Sequence, residues 1–375
     1  MAIIDRYVIS RFLWNFLALF GALYLFGIAV DVVLNTSKFL EAADLAVRSG
    51  RVASRWSGVF VMLADFHGPR VFQFYQFMVG MVAVGAMGFT FAQMHKSREL
   101  TALMAAGINL RRPAMALVVA AIGLQVIQLV NQEWILPQLA PKLVRLHSDL
   151  VANRGAAFPL PLTRDANGLL LQADSFDPES GELRGVVALE RDAKGQARSR
   201  MSAPIATWDA DREAWILQQG QIIRLPARTE VGSSTAVDTA EESLDEIATN
   251  LGPESILSRR FRLYGQMLST PQLLELRDGG SSDRMLSNRL LAARLLGPIV
   301  NLLILIAAIP FFLLRDPCNL LQQSLRAASF AVPVSIAALT LTTVPLATLP
   351  PALAAAIPTA ALLPIAVWRF TSMRS

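Results

Sequence analysis

The chain has 375 residues, of which 53% are hydrophobic and 17% are charged, and its formal net charge is +5. Soluble domains average about 25% charged residues, so the composition excludes an ordinary soluble protein and indicates a membrane protein with a polar portion. The basic residues are scattered, which argues against a nucleic-acid-binding protein and favours an explanation by membrane topology. The single cysteine, Cys318, excludes an internal disulfide framework.

Long apolar segments at both ends of the chain predict transmembrane helices. The first three are 12–30, 71–94 and 113–132, and the fourth is 295–314. The segment 327–368 has no charged residue and is too long for one span of about 20 residues, so we interpret it as two spans joined by a tight turn. The first span has a longer apolar core than a signal peptide, which predicts that it is not cleaved.

The distribution of Lys and Arg predicts the orientation of these spans. More of these residues lie in the short segments on the side of the two termini than on the opposite side. By the positive-inside rule, both termini are expected in the cytoplasm and the polar segment outside it.

The polar segment between the third and fourth spans has the pattern of an antiparallel β-domain. We predict strands at 168–173, 183–191, 200–208 and 214–224, with turns at 177–181, 192–195 and 209–213. This spacing favours a sandwich or jelly roll. We expect a loop at 232–246 and a helical segment at 261–277 that starts afresh at Ser269.

The segment 36–70, between the first two spans, predicts an amphipathic helix on the outer membrane surface. Trp56 and Phe60 recur at helical spacing, while Arg48, Arg51 and Arg55 gather on another face. Two interpretations stay open: a solvated basic face beside lipid headgroups, or a contact with the phosphates of an anionic lipid substrate.

The most informative segment is 97–112, which reads S-R-E-L-T-A-L-M-A-A-G-I-N-L-R-R. Ser97 is expected to cap a short helix, Glu99 to lie in its first turn, and Gly107 to end it in a left-handed conformation. The apolar residues Leu100, Leu103 and Met104 form one stripe on that helix. Such a helix either shapes a loop at the membrane surface or docks into a partner protein.

This segment resembles a known signature. E-L-T-A-L-M-A-A-G-I is similar to the E-L-x-x-L-x-A-A-G-I motif of the lipopolysaccharide-export permeases, the LptF/LptG (YjgP/YjgQ) family, where it forms the coupling helix that seats in a cytoplasmic ATPase. Further similar features are Glu133-Trp134 followed by Pro137, the Trp208…Trp215 hairpin, Ile309-Pro310-Phe311, and the prolines of 349–358.

The resemblance implies an α-helical membrane protein with six transmembrane helices in a three-plus-three arrangement and an inserted, jelly-roll-like periplasmic antiparallel β-domain. The expected domains are 1–140, with spans one to three and the coupling helix at 97–107; 141–288, the β-domain; and 289–375, with spans four to six. The expected location is the bacterial inner membrane.

The resemblance also implies a function and partners. The chain would be the permease subunit of an ABC transporter that extracts lipopolysaccharide, or a related lipid, and passes it to a periplasmic bridge protein of the LptC/LptA kind. It would work with a paralogous permease subunit and a cytoplasmic LptB-like ABC ATPase. The coupling residues would be Glu99, Leu100, Leu103, Met104 and Gly107.

Substrate contacts are implied less closely. Members of the family place basic residues at the outer ends of spans one and three, and here Lys38, Lys142 and Arg145 are the candidates. Asp31 departs from the family pattern, because it occupies a zone where a lysine is expected. The departure leaves open a lipid other than lipopolysaccharide.

The sequence lacks motifs for an enzyme of its own. It contains no G-x-x-x-x-G-K-[ST] loop, so any ATP consumption is expected in a partner. The histidines His67, His95 and His147 are isolated in sequence, so no metal and no cofactor is predicted. Two rival interpretations remain: another mechanotransmitting ABC permease, which would usually have four spans, and a membrane scaffold or adaptor that binds partners through its β-domain.

Overall fold

The structure is a computed structural model that describes residues 3–143, 157–165, 167–178, 180–191, 197–224, 241–260, 264–278, 281–313, 320–343 and 350–372. The chain forms two compact units. The helical unit comprises Met1–Asn35, His67–Pro137 and Asn288–Ser375, and the second unit comprises Thr36–Phe66 and Gln138–Ser287.

Helices make up most of the described chain. In chain order they are α1 (Ile3–Leu34), α2 (Thr36–Arg48), α3 (Arg55–His67), α4 (Arg70–Lys96), α5 (Glu99–Ala105), α6 (Arg111–Val130), α7 (Leu136–Leu143), α8 (Pro253–Arg260), α9 (Thr270–Asp278), α10 (Ser281–Ala308), α11 (Leu320–Thr343) and α12 (Pro351–Thr371). A π-helical turn, Asn131–Ile135, joins α6 to α7. Short 3₁₀ turns lie at Tyr264–Gln266 and Ile309–Phe311.

Five helical segments in the described residues are long and apolar enough to cross a membrane. They are Ile3–Leu34, Arg70–Lys96, Arg111–Leu143, Arg284–Phe311 and Leu353–Thr371, and α11 adds a shorter apolar stretch, Leu325–Leu341. The predicted spans 12–30, 71–94 and 113–132 are confirmed as helical. The fourth helix begins well before the predicted residue 295, because Arg, Leu, Met and Ala make up most of residues 284–294 and are good helix formers.

The core of the helical unit lies among α1, α4, α6 and α10. Phe12, Met87 and Leu117 are among its fully buried side chains. Two glycines of α4 allow close contact with the second half of the chain: a Cβ on Gly80 would collide with Asn301, and a Cβ on Gly88 would lie 2.9 Å from the ring of Phe312. The spans before and after the polar segment therefore pack into one bundle.

The second unit contains a six-stranded antiparallel sheet. Its strands are β1 (Phe158–Arg164), β2 (Leu170–Asp177), β3 (Glu182–Arg191), β4 (Ala197–Asp209), β5 (Ala214–Arg224) and β6 (Glu241–Ala248), and they pair in sequence order from β1 to β6. Trp208 and Trp215 face each other across β4 and β5, with ring centroids 5.1 Å apart. Trp215 is fully buried and donates its indole N–H to the Leu251 carbonyl at 3.0 Å. The predicted fold class, a helical membrane protein with an inserted antiparallel β-domain, is confirmed.

Two strands differ from the predictions. The loop predicted at 232–246 is wrong at its end, because Glu241–Ala248 forms β6 and pairs with β5. Its acidic residues suit an exposed edge strand, where charges discourage pairing with other chains. Strand β1 was not predicted, since Pro159 and Pro161 weaken the strand pattern, although an edge strand tolerates proline.

The helical segment predicted at 261–277 is confirmed in its second part. Helix α9 starts at Thr270, where the Ser269 amide N–H donates to Gln272 Oε1 at 2.7 Å and Ser269 Oγ accepts from the Gln272 amide at 3.4 Å. This reciprocal arrangement is a capping box. Residues 192–196, 261–263 and 344–349, together with Arg145, His147 and Cys318, lie outside the described residues.

Candidate functional site

The short helix α5 lies between two membrane-crossing helices, α4 and α6. Gly107 has φ +72°, and the left-handed conformation predicted for it is confirmed. The Gly107 amide donates to Met104 O at 3.0 Å and the Ile108 amide to Leu103 O at 2.9 Å. This pair of bonds is a Schellman motif, which satisfies the last carbonyls of the helix. The C-terminal end of α5 is therefore sharply fixed.

The beginning of α5 differs from the prediction. Ser97 is not its N-cap: that position is held by Arg98, which has φ +57° and makes no capping hydrogen bond with its side chain. Because Arg98 reverses the chain within one residue, Ser97 still belongs to the end of α4. Its hydroxyl oxygen lies 2.8 Å from Gln93 O and 2.6 Å from Glu99 Oε1, and its one proton is donated to either of these acceptors.

Glu99 is the centre of a polar cluster that links α5 to α1. Nη1 of Arg11 lies 2.8 Å from both carboxylate oxygens of Glu99. The hydroxyl of Tyr7 lies 3.2 Å from the same two oxygens. Because Tyr7 and Arg11 are one helical turn apart, they present both donors from one face of α1. We call Tyr7, Arg11, Ser97 and Glu99 the Glu99 cluster.

The Glu99 cluster favours the charged carboxylate. Partial burial acts to raise the pKa of Glu99, but the hydrogen bonds from Ser97, Arg11 and Tyr7 and the positive charge of Arg11 outweigh it, so the pKa of Glu99 lies below its ordinary value. The carboxylate is therefore ionised and held by α1 at neutral pH.

Side chains of α1 and α4 extend this cluster along the helices. Nε of Arg11 donates to Gln93 Oε1 at 3.0 Å. Asn15 donates to Thr90 Oγ1 at 2.9 Å and accepts from Gln93 Nε2 at 3.2 Å. The chain of hydrogen bonds therefore joins α5 to both α1 and α4.

The apolar stripe of α5 packs inside the chain itself. Leu100 is 1% exposed and belongs to the core of the helical unit, and Leu103 and Met104 are partly buried against the same core. The opposite face, formed by Thr101, Ala102, Ala105 and Ala106, is exposed. The residues that a partner can contact are therefore mainly those of this small-residue face.

Basic residues near α5 tie the neighbouring helix ends together. Nε of Arg112, at the start of α6, lies 3.2 Å from Asp5 Oδ1 of α1. The guanidinium of Arg369 lies 4.2 Å from the ring centroid of Phe311 and donates to Ala307 O at 3.1 Å. The segment 97–112 is thus joined to α1 by an ion pair at each end.

Polar side chains at the far end of α6 face the interior of the bundle. Gln125, Gln128 and Asn131 are buried. Gln125 accepts from Asn301 Nδ2 of α10 at 3.2 Å. Glu133, in the π turn, pairs with Arg294 of α10 at 3.0 Å. π turns of this kind are frequent at functional sites.

Two of the three candidate substrate residues lie on described helices. Lys38 on α2 and Lys142 on α7 are both exposed, and Arg145 lies outside the described residues. Asp31, near the end of α1, lies 3.3 Å from Nε2 of His67, which is buried. Within the described residues no group of three His, Cys, Asp or Glu side chains could hold a metal ion.

Sequence reasoning identified Glu99 but missed Arg11 and Tyr7 as its partners. In the sequence, Arg11 stands out only as a basic residue that precedes the first span. The i, i+4 spacing of Tyr7 and Arg11 was the available signal, but nothing in the sequence indicates that this face meets residue 99.

Comparison with known proteins places the chain in a family. A family model described as lipopolysaccharide export system permease LptF/LptG matches residues 70–372, from the first residue of α4 to the end of the last helix. No curated protein matches the sequence. The match covers most of the chain, including α5, the sheet and the helices that follow it, and it confirms the resemblance seen in the sequence. The chain therefore belongs to the LptF/LptG family of lipopolysaccharide export system permeases.

Proposed function

We propose that this permease is the force-receiving membrane subunit of an ABC transporter that extracts lipopolysaccharide, or a related lipid, from the inner membrane. A separate cytoplasmic ATPase binds α5 and supplies the work, and a paralogous permease completes the membrane part. The observation that carries the proposal is the position of α5: its first residue, Glu99, is fixed to α1 through the Glu99 cluster, while the face opposite its apolar stripe is exposed.

Lipid extraction requires an external source of energy. Burying an acyl chain stabilises a lipid by roughly 0.8 kcal/mol per CH₂ group, so removing a lipid with several chains costs tens of kcal/mol. Binding to a permease alone does not offset this cost. A short helix that is clamped to a membrane span at one side can transmit movement from a nucleotide-driven partner to that span.

The proposed orientation puts both termini and α5 in the cytoplasm and the sheet in the periplasm. It rests on the excess of Lys and Arg on the side of α5. A reporter inserted at Ala210, in the exposed β4–β5 turn, is expected to be active only if it functions outside the cytoplasm. Activity of a cytoplasmic reporter at this position would reverse the orientation.

The sheet is the proposed docking site for a periplasmic bridge protein. Its described strands pair only with their sequence neighbours, so β1 and β6 each have an edge that is not paired within the sheet. A strand edge can be extended by a strand of another protein through main-chain hydrogen bonds. Lys38, Lys142 and Arg145 remain the proposed contacts to lipid phosphates.

The exposed face of α5 can be tested directly. Ala102→Arg and Ala105→Arg each place a large charged side chain on this face without touching the buried stripe. Both variants are expected to insert into the membrane but to lose the ATPase during purification in mild detergent. Ser372→Arg, at the exposed end of α12, is the control and is expected to retain it.

Two outcomes would contradict the proposal. Full retention of the ATPase by both alanine variants would show that α5 is not the docking helix. Purification of the unaltered protein without any ATPase would favour the scaffold interpretation.

A further inference from the structure

Helices α2 and α3 form a hairpin with its own small core. The rings of Phe39 and Phe66 meet edge to face, with centroids 5.8 Å apart. The two helices approach closely where Gly58 faces Ala43, since a Cβ on Gly58 would lie 3.1 Å from that of Ala43. The inward face of α3 is therefore occupied by α2.

The opposite face of α3 carries two large aromatic side chains that the described part of the chain leaves exposed. Trp56 and Phe60 are each 72% exposed. At about 100° per residue, Gly58 lies about 200° around the helix from Trp56, so the two faces point in opposite directions. Exposed Trp and Phe at adjacent turns of one helix are typical of helices that lie in a membrane interface.

The charges around these aromatic residues have one sign. Residues 45–64 include Arg48, Arg51 and Arg55 and contain no Asp or Glu. Arg55 pairs with Asp44 at 3.0 Å. Arg48, the last residue of α2, and Arg51, in the turn that follows, are exposed. A basic turn beside exposed aromatic residues is complementary to a layer of anionic headgroups.

The chain order keeps this hairpin close to the bilayer. Helix α2 begins two residues after the end of α1, and α4 begins three residues after the end of α3. Both α1 and α4 are long enough to cross the membrane. Because these links are so short, the start of α2 and the end of α3 stay close to the membrane surface at which α1 ends and α4 begins.

We propose that the face of α3 formed by Trp56 and Phe60 inserts into the lipid surface at the ends of α1 and α4, and that Arg48 and Arg51 bind anionic phospholipid headgroups there. The occupant is the bilayer itself. The inference depends on the membrane-crossing helices and not on the transport function proposed above.

Site-directed spin labelling of the full-length protein tests the proposal. Cys318 is the single cysteine of the chain, so a Cys318→Ser background accepts one label at a time. The label is placed at Phe60→Cys or, in a second variant that keeps Phe60, at Trp56→Cys. Controls are Glu41→Cys on the exposed side of α2 and Ala210→Cys in the β4–β5 turn.

The measurement is the accessibility of each label to oxygen, which concentrates in lipid, and to a water-soluble nickel chelate. In nanodiscs that contain phosphatidylglycerol, the oxygen-to-nickel ratio at positions 56 and 60 is expected to exceed that at position 210 several-fold. Equal ratios at 56, 60 and 210 would overturn the proposal. So would labels at 56 and 60 that are shielded from both reagents, because that result means a covering protein.

The basic turn has its own test. Replacing phosphatidylglycerol by phosphatidylcholine is expected to lower the ratio at position 60 in the parent protein. In the Arg48→Gln/Arg51→Gln variant, the ratio is expected to be the same in the two lipids. A lipid effect that survives the double substitution would remove Arg48 and Arg51 from the headgroup contact.

Discussion

Nη1 of Arg11 lies 2.8 Å from the carboxylate of Glu99 and joins helix α5 to the first span across a separation of 88 residues. The pair is only partly exposed, with 23% of the Arg11 side chain and 30% of the Glu99 side chain accessible. Glu99 is thus a residue through which α5 is attached to α1. In a permease, this attachment would convert movement at the cytoplasmic side into movement of a span.

The first prediction concerns the charge pair itself. Arg11→Gln is expected to leave the ATPase bound but to lower the amount of lipid transported per ATP hydrolysed, because α5 then moves without α1. The stability cost is expected to be only about 1 kcal/mol for a partly exposed pair. The measurements are ATPase activity and lipid release from the same proteoliposomes, with Arg6→Gln as the control on the exposed side of α1.

The reversed pair separates an internal role of Glu99 from a contact with the ATPase. Arg11→Glu/Glu99→Arg restores the ion pair within the chain but reverses the charge at position 99. Recovery of transport by the double variant is expected if the internal pair matters. Failure of the double variant, combined with normal coupling in Arg11→Gln, would assign Glu99 to the ATPase contact instead.

The second prediction follows from the lowered pKa of Glu99. Because the folded protein lowers the pKa of this carboxylate below its ordinary value of 4.5, the pair stabilises the folded protein above pH 4.5. The contribution is lost as the pH falls through the lower pKa of the folded state. The unfolding temperature of the parent protein is expected to exceed that of Glu99→Gln at neutral pH, and the difference is expected to shrink as the pH falls below 4.5. A difference that does not change with pH would mean that the ion pair adds no stability.

Local patterns predicted the helices and the β-domain well. The apolar runs predicted the membrane helices, and Gly107 predicted the end of α5, because both depend on residues close in sequence. Gln125 and Asn131 are buried in the bundle because uncompensated polar groups are costly in lipid.

Features that depend on distant contacts could not be predicted. Strand β6 is rich in acidic residues, and only its pairing with β5 makes it a strand. The interior packing of Leu100 and the partners of Glu99 depend on how α1, α4 and α5 meet. Ser97 was misassigned because Arg98 adopts a left-handed conformation that its residue type does not indicate.

The third prediction concerns Gly107. An added Cβ would meet no atom within 4 Å, so the cost of Gly107→Ala comes from the φ of +72° alone. The substitution is expected to destabilise α5 by about 1 kcal/mol and to weaken retention of the ATPase, whereas Gly107→Asn is expected to be milder, since Asn tolerates this conformation.

Gly123→Ala in α6 is the matched control for this variant. Its Cβ would also meet no atom within 4 Å, but its backbone has no positive φ, so the substitution is expected to be neutral or slightly stabilising. The checks are thermal unfolding and copurification of the ATPase. An equal effect of the two alanine substitutions would mean that the left-handed cap does not matter.

The fourth prediction concerns the ion pair between Glu133 and Arg294, which links the π turn after α6 to α10. The Arg294 side chain is 9% exposed and that of Glu133 is 30% exposed, so the two partners are not equivalent. Glu133→Gln leaves a buried positive charge without its carboxylate and is expected to cost about 3 kcal/mol. Arg294→Gln leaves a carboxylate that water can still reach, so its cost is expected to be smaller.

The double variant Glu133→Gln/Arg294→Gln removes both charges and is expected to recover most of the loss. Thermal unfolding in nanodiscs measures all three, and a larger loss for Arg294→Gln than for Glu133→Gln would show that the buried guanidinium is stabilised by groups other than Glu133.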